Sequence, residues 1–146
     1  LAGTSALSQR GWLHVAELVD RRKLIVVVED DPYLTTLFSE TLPLFGQWRL
    51  QIIADGQTAK IELPSMGADL ILLDVGLPSL DGVSLYKILR GHSKTKHTPI
   101  VLMSGIHEWE LHRMGLQTGF LLRKPFDIDE LLGIIQALLS DEATNP

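Results

Sequence analysis

This sequence predicts an α/β fold, a three-layer doubly wound sandwich in which a parallel five-stranded sheet lies between helices. Three observations carry the prediction. Short apolar runs, LIVVV at 24–28, LILL at 70–73, IVLM at 100–103 and FLLR at 120–123, are bounded by turn residues and suit strands buried on both faces. Between them lie segments whose apolar residues recur at three- and four-residue spacings, as in helices packed on a sheet. The two kinds of segment alternate from Leu24 onward with no break in composition, the pattern of repeated βα units in one sheet.

The first strand, β1, is placed at 24–28. Asp31-Pro32 then offers a capping carboxylate and a proline at the first helical position, where its missing N–H costs nothing, so α1 is expected over Tyr33–Leu42. Strand β2 at 49–53 is followed by α2 over Gln57–Leu63. After β3 at 70–73 comes a loop punctuated by Pro78 and Gly82, then α3 over Val83–Leu89. Strand β4 at 99–103 leads to α4 over Glu108–Met114, and β5 at 120–123 ends at Lys124-Pro125. Proline biases the residue before it toward extended geometry and forces a turn, so Lys124 closes its strand. The final helix, α5 over Ile128–Leu139, carries the clearest stripe, Ile128, Leu131, Leu132, Ile135, Leu138 and Leu139, with Asp127 to cap it. Parallel neighbours need right-handed crossovers, and five βα units most commonly give a doubly wound sheet.

At 146 residues with 45% hydrophobic content, the chain is the size of one ordinary domain and buries a full core without staples. Cysteine is absent, which excludes disulfides and thiolate metal sites, and the five histidines never take a ligand spacing beside acids. The longest uninterrupted apolar stretch is five residues, too short to span a bilayer, so no membrane association and a cytoplasmic location are expected. A net charge of −5, with only Arg21-Arg22-Lys23 and Lys94 to His97 as brief basic clusters, argues against direct nucleic-acid binding. Residues 1–23 form an extension with Trp12, Val15, Ala16, Leu18 and Val19 on one helical stripe and Glu17 four residues before Arg21. That extension reads as an amphipathic linker helix or as a helix lying on the domain. The domain itself is expected over 24–140, and 141–146 is a polar tail.

Function in open α/β sheets collects beyond the carboxyl ends of the strands, and here those ends carry four acids, a hydroxyl and an amine. Glu29, Asp30 and Asp31 follow β1, Asp74 follows β3, Ser104 follows β4 and Lys124 follows β5. Asp31 is assigned to helix capping. If β1 and β3 are neighbours, the carboxylates of Asp30 and Asp74 converge, and like charges held close repel unless a cation or proton intervenes. Magnesium resolves this, since it prefers oxygen ligands and takes one or two carboxylates together with phosphate oxygens. A lysine ammonium and a serine hydroxyl supply the charge and donors that a phosphoryl group needs, so Asp74, a metal, Lys124 and Ser104 make an acyl-phosphate site with Asp74 as nucleophile.

The segments VVVEDDP, LILLDVGLPSLDG, PIVLMSG and LLRKPF, in this order from about Leu24 to Leu139, resemble the signature segments of the response-regulator receiver domain. The resemblance implies a flavodoxin-like fold with strand order 2-1-3-4-5. It also implies Asp74 as phosphoacceptor, Asp30 as direct magnesium ligand, Glu29 acting on the ion through water, and the backbone carbonyl of Gly76 as the third protein ligand. Ser104 matches the switch hydroxyl and Lys124 the lysine of the KPF motif. Implied partners are a histidine kinase or histidine phosphotransfer protein as donor and a downstream protein or attached output domain, with a phosphorylation-dependent homodimer as a further option. A stand-alone receiver, one excised from a larger regulator, and the receiver of a hybrid kinase all fit the chain.

Two features depart from the family pattern. The position three residues before the lysine, usually Tyr or Phe, is Leu121, and strand alternation turns the neighbouring Phe120 to the other face, where a core role is expected. The stretch Gly115 to Gly119 replaces the usual small-residue pattern before β5. Two other classes of function remain open at this stage. One is a receiver-like interaction module that is not phosphorylated, and the other is a magnesium-dependent phosphatase, which wants a second acid beside the nucleophile that Val75-Gly76 does not supply.

Overall fold

The computed structural model describes residues 20–117 and 119–140. It contains β1 (Leu24–Val28), α1 (Pro32–Phe45), β2 (Arg49–Ile53), α2 (Gly56–Met66), β3 (Leu70–Asp74), α3 (Gly82–Gly91), β4 (Ile100–Ser104), α4 (Glu108–Arg113), β5 (Phe120–Arg123) and α5 (Ile128–Leu139). The strands form one parallel sheet in the order β2-β1-β3-β4-β5, so the expected doubly wound, flavodoxin-like arrangement is present. Residues 1–19 of the extension expected as a linker helix over 1–23, with the tail at 141–146, lie outside the described residues, and its last four residues, 20–23, are not helical.

Burial follows sheet position. Every residue of β1, β3 and β4 is buried, because these central strands have a neighbour on each side and a helical layer on each face. The edge strands RLQII and FLLR carry charged residues and are only partly covered. Strand alternation sorts the core into two layers. Val26, Val28, Ile71, Leu73, Ile100 and Leu102 pack with Ala59 and Leu63 of α2, Leu85 and Leu89 of α3, and Leu111 of α4. Ile25, Val27, Leu70, Leu72, Val101 and Met103 pack on the other face with Phe38 and Leu42 of α1 and Leu131, Leu132 and Ile135 of α5.

Helix starts agree with the capping chemistry. The carboxylates of Asp31, Asp55, Asp81 and Asp127 accept from the backbone N–H of Tyr33, Thr58, Ser84 and Asp129, each satisfying a donor that has no intrahelical partner. Asp31 is therefore the cap the sequence suggests. Helix ends differ more. Helices α1 and α2 each run three residues beyond the expected end, through Pro43 and Pro64. In both the proline lies in the last turn, so the carbonyl it leaves without an N–H donor is that of Ser39 or Lys60, both exposed and open to water. Phe120 also departs from expectation. It is 41% exposed and no core residue, because it begins an edge strand, while Leu121 and Leu122 alternate into the two layers.

Candidate functional site

Register brings the strand ends level. Val28 pairs with Leu73 and Asp74 with Met103, so the residues that follow β1 and end β3 stand side by side. The ladder continues beyond the strands through Glu29 N–H to the Ile53 carbonyl (3.1 Å), Val75 N–H to Met103 (3.0 Å) and Lys124 N–H to Ser104 (2.8 Å). Glu29, Ser104 and Lys124 are thus tied by backbone bonds to the neighbouring strand, and Asp74 is held through its pairing with Met103 and the bond of the next residue.

The ammonium of Lys124 sits between two carboxylates, 3.1 Å from Glu29 Oε2 and 3.1 Å from Asp74 Oδ1. Glu29 is 1% exposed, and its other oxygen, Oε1, accepts from Asp31 N–H at 3.2 Å. Asp74 is buried as well, and its Oδ1 also accepts from Gly76 N–H at 3.3 Å. Asp30, by contrast, is exposed and faces water. Carboxylate oxygens of Glu29, Asp30 and Asp74 lie within 4.8 Å of one another. Burial, and after it the charge of Asp74, pushes the Glu29 carboxyl above its ordinary value, with Lys124 opposing. Burial alone lowers Lys124, but the hydrogen bonds and charges of Asp74 and Glu29 outweigh it and hold the ammonium above its ordinary value.

One ammonium against three close carboxylates leaves negative charge in excess, so the cluster calls for a cation. Its donors are all oxygens, which suits a hard ion. Ligand oxygens around magnesium stand roughly 3 to 4 Å apart, a spacing these carboxylates reach with small side-chain adjustments, and the exposed Asp30 leaves room for the waters the ion retains. The residues present therefore fit magnesium.

Ser104 is 1% exposed, and its hydroxyl oxygen accepts from Ile106 N–H at 2.9 Å, which leaves the hydroxyl proton free to donate. Alternation puts Ser104 in phase with Leu102 and so with the layer that contains α4. Ile106 packs into the same layer, and so does Leu121 at the position where an aromatic was expected.

Two glycines pin the loop between β3 and α3. A Cβ on Gly82 would overlap the carbonyl oxygen of Asp74 and crowd Val75 Cα, and one on Gly56 would overlap the carbonyl oxygen of Leu80. The obstacle in each case is backbone, which cannot rotate away. Gly82→Ala is accordingly expected to lose about 2 to 3 kcal/mol of stability in urea denaturation, as overpacked sites do. A variant as stable as the wild type would show that the loop yields freely. The sequence marks Gly82 only as loop punctuation, and nothing in it pairs Lys124 with Glu29 as well as with Asp74.

A family model for the response regulator receiver domain matches residues 25–136. The chain belongs to this family. The receiver domain is 31% identical over 117 residues to the DNA-binding dual master transcriptional regulator RpaA of Synechocystis, covering 79% of this chain and 48% of that protein. It is 36% identical over 118 residues to the transcriptional regulatory protein CpxR of Escherichia coli, again with 79% and 48% covered. The chain thus spans about half the length of these curated relatives. Among solved structures, it is similar to the receiver domain of the sensor histidine kinase PA1611 of Pseudomonas aeruginosa, with a TM-score of 0.72, 28% identity, and 80% and 97% of the two chains covered. That structure has a magnesium ion coordinated in its active site cleft. The chemotaxis response regulator CheY4 of Vibrio cholerae is alike to the same degree, with a TM-score of 0.72, 27% identity, and 81% and 99% covered.

The acidic cluster of Glu29, Asp30 and Asp74 in this receiver domain carries a pH signature. A cation held by this cluster favours the ionised form of Glu29, so magnesium affinity is expected to fall as pH drops through the carboxyl's value in the free protein. That value is raised, so the loss begins at a higher pH than an ordinary glutamate would give. Calorimetric magnesium titrations run from neutral pH down into the ordinary glutamate range read it. Affinity that stays flat down to the ordinary glutamate range would contradict it.

Proposed function

We propose that this chain is a phosphorylation-dependent signalling switch in which Asp74 accepts a phosphoryl group from a phosphohistidine of a histidine kinase or phosphotransfer protein. The observation that carries the reading is the bridging of Asp74 and Glu29 by Lys124 inside a cluster of three carboxylates. An oxygen of Asp74 forms the new bond to phosphorus as the donor's N–P bond breaks and its imidazole leaves with the bonding pair. Glu29, Asp30, Asp74 and the Gly76 carbonyl hold magnesium, which supplies positive charge against the phosphoryl oxygens. Lys124 is already ion-paired with Asp74 Oδ1 and follows the negative charge onto the phosphoryl group. Ser104 donates its free hydroxyl proton to another phosphoryl oxygen, and the added charge of about −1.5 to −2 is thereby transmitted to β4 and α4.

Chemistry ends at this chain's own aspartate, in transfer and slow hydrolysis, with no turnover of an external substrate. The receiver unit is 24–140, flanked by the extension 1–23 and the tail 141–146. It works in the cytoplasm without direct nucleic-acid contact, and it passes the signal to an attached or separate output protein or to a second copy of itself. Among the described residues no helix is long and apolar enough to cross a membrane.

Intact mass after incubation with magnesium and a small acyl phosphate tests the reading. One phosphate per chain is expected, carried on the peptide containing Asp74, and none is taken up when the metal is chelated beforehand. Uptake of none by a folded protein that still captures a partner points instead to a constitutive interaction module. Product formed beyond one equivalent from a small phosphate ester points to a phosphatase.

Gly76 sets the lifetime of the modified state. A Cβ there would stand 3.9 Å from Asp74 Oδ2, so the position overlooks the carboxylate but offers no polar group to orient an attacking water. The phosphorylated protein is expected to persist for minutes or longer. Gly76→Asn, which restores a side-chain amide at that place, is expected to speed its decay by about tenfold. Decay of the wild type within seconds on intact mass would contradict the assignment.

A further inference from the structure

Helix α4 has only six residues, too few to persist by its own hydrogen bonds, so its position comes from what it touches. Leu111 and Leu116 anchor it in the core, at 0% and 1% exposure. Its last turn closes through Gly115 N–H to the His112 carbonyl and Leu116 N–H to the Leu111 carbonyl. The carbonyls of Met114 and Gln117 fall outside that scheme, and both are taken by α3. Lys87 Nζ donates to Met114 at 2.7 Å, and Tyr86 Oη donates to Gln117 at 3.3 Å. The Tyr86 ring is itself fixed, since the Arg90 guanidinium lies 5.1 Å from its centroid and donates to the Thr98 carbonyl at 2.6 Å. Gly115 fits the same device. Its φ of +87° favours glycine, and a Cβ there would come within 3.2 Å of Lys87 Nζ.

We propose that Tyr86 and Lys87 form a latch that holds the carboxyl end of α4 in the arrangement proper to unphosphorylated Asp74. The inference rests on the reading of Asp74 as phosphoacceptor. At its other end α4 is joined to Ser104 through the short loop that Ile106 N–H ties to the Ser104 hydroxyl oxygen. A Ser104 hydroxyl turned toward a phosphoryl oxygen draws this loop with it. Helix α4 then follows only if Lys87 releases Met114. The latch and the phosphoryl group act on one two-state element, so each weakens the hold of the other by the same factor. Tyr86 and Lys87 are positioning residues, remote from the reacting atoms.

Lys87→Met tests this, with Lys87→Arg as the conservative control, since arginine keeps a donor for the Met114 carbonyl. Amide hydrogen exchange without phosphodonor is expected to quicken about tenfold over residues 105–117 in Lys87→Met, with β1 and β3 unchanged and Lys87→Arg close to the wild type. Phosphate uptake from limiting acyl phosphate is expected to quicken about threefold in Lys87→Met, as the arrangement that takes up phosphate becomes more populated, and to return toward the wild-type rate in Lys87→Arg. Unchanged exchange overturns the latch. Quickened exchange with an unchanged uptake rate overturns its coupling to the site. A wild type that takes up no phosphate refutes the phosphoacceptor reading and the coupling together, whereas the exchange result then still decides whether Lys87 holds α4.

Discussion

Asp74→Asn is expected to abolish phosphate uptake altogether while leaving the fold intact. An amide is a poor nucleophile toward phosphorus, and no other carboxylate in the cluster replaces it. Asp30 is exposed, and Glu29 is buried with one oxygen on Lys124 and the other on the Asp31 N–H. Stability should change by no more than about 1 kcal/mol, because the lost ion pair with Lys124 is offset by relief of repulsion from Glu29 and Asp30. Magnesium affinity should fall by about tenfold or more, since one of three charged ligands becomes neutral. Intact mass, urea denaturation and calorimetric titration read these three quantities on one sample. Phosphate carried by the folded variant would move the acceptor elsewhere and sink the assignment.

Lys124→Met is expected to separate two effects that are usually lost together. Uptake of phosphate should slow by about 10²- to 10³-fold, the loss seen when a preorganised donor to a developing anion is removed. Magnesium should nevertheless bind more tightly. In the wild type the ammonium occupies two of the carboxylates proposed to hold the ion, and repulsion between the two cations is worth about 1 to 2 kcal/mol even at a high effective dielectric. The metal-free variant should also lose about 2 to 3 kcal/mol at neutral pH, because Glu29 and Asp74 are left buried together without a counter-ion. The sign with pH follows from Glu29. Its value, already raised by burial and by Asp74, rises further when Lys124 is gone, so the variant keeps its stability at acid pH and loses it as pH climbs through that value. Added magnesium should restore it. Weaker metal binding in Lys124→Met than in the wild type would show that the lysine does not compete for these carboxylates.

Much of the site is legible in the sequence because each of its members ends a strand that can be recognised without knowing the strand's neighbours. LIVVV, LILL and IVLM are too short and too uniformly apolar to be surface elements, and the polar residue that follows each of them must leave the sheet at the same end if the strands are parallel. Helix starts read equally well, since an aspartate ahead of a helix acts within three residues of chain. Helix ends near Pro43 and Pro64 did not, because a proline in the last turn kinks rather than stops a helix when the carbonyl it strands is open to water, and that exposure is not visible in the sequence. Phe120 misled for a related reason. The expected strand order already placed β5 at the sheet edge, but how far the neighbouring layers cover the first residue of an edge strand is set by packing and not by the segment itself.

By itself, then, the sequence determined the alternation of strands and helices, the acids, hydroxyl and amine at the strand ends, and the magnesium chemistry they suit. All of these follow from local pattern and residue type. The tertiary structure alone decided that Lys124 reaches Glu29, 95 positions away, as well as Asp74, that Gly82 bears on the Asp74 backbone, and that α3 holds the end of α4. Such contacts are set by register between strands and by packing between layers. Shifting either by one residue would separate the same side chains without altering any local pattern that a reader of the chain could see.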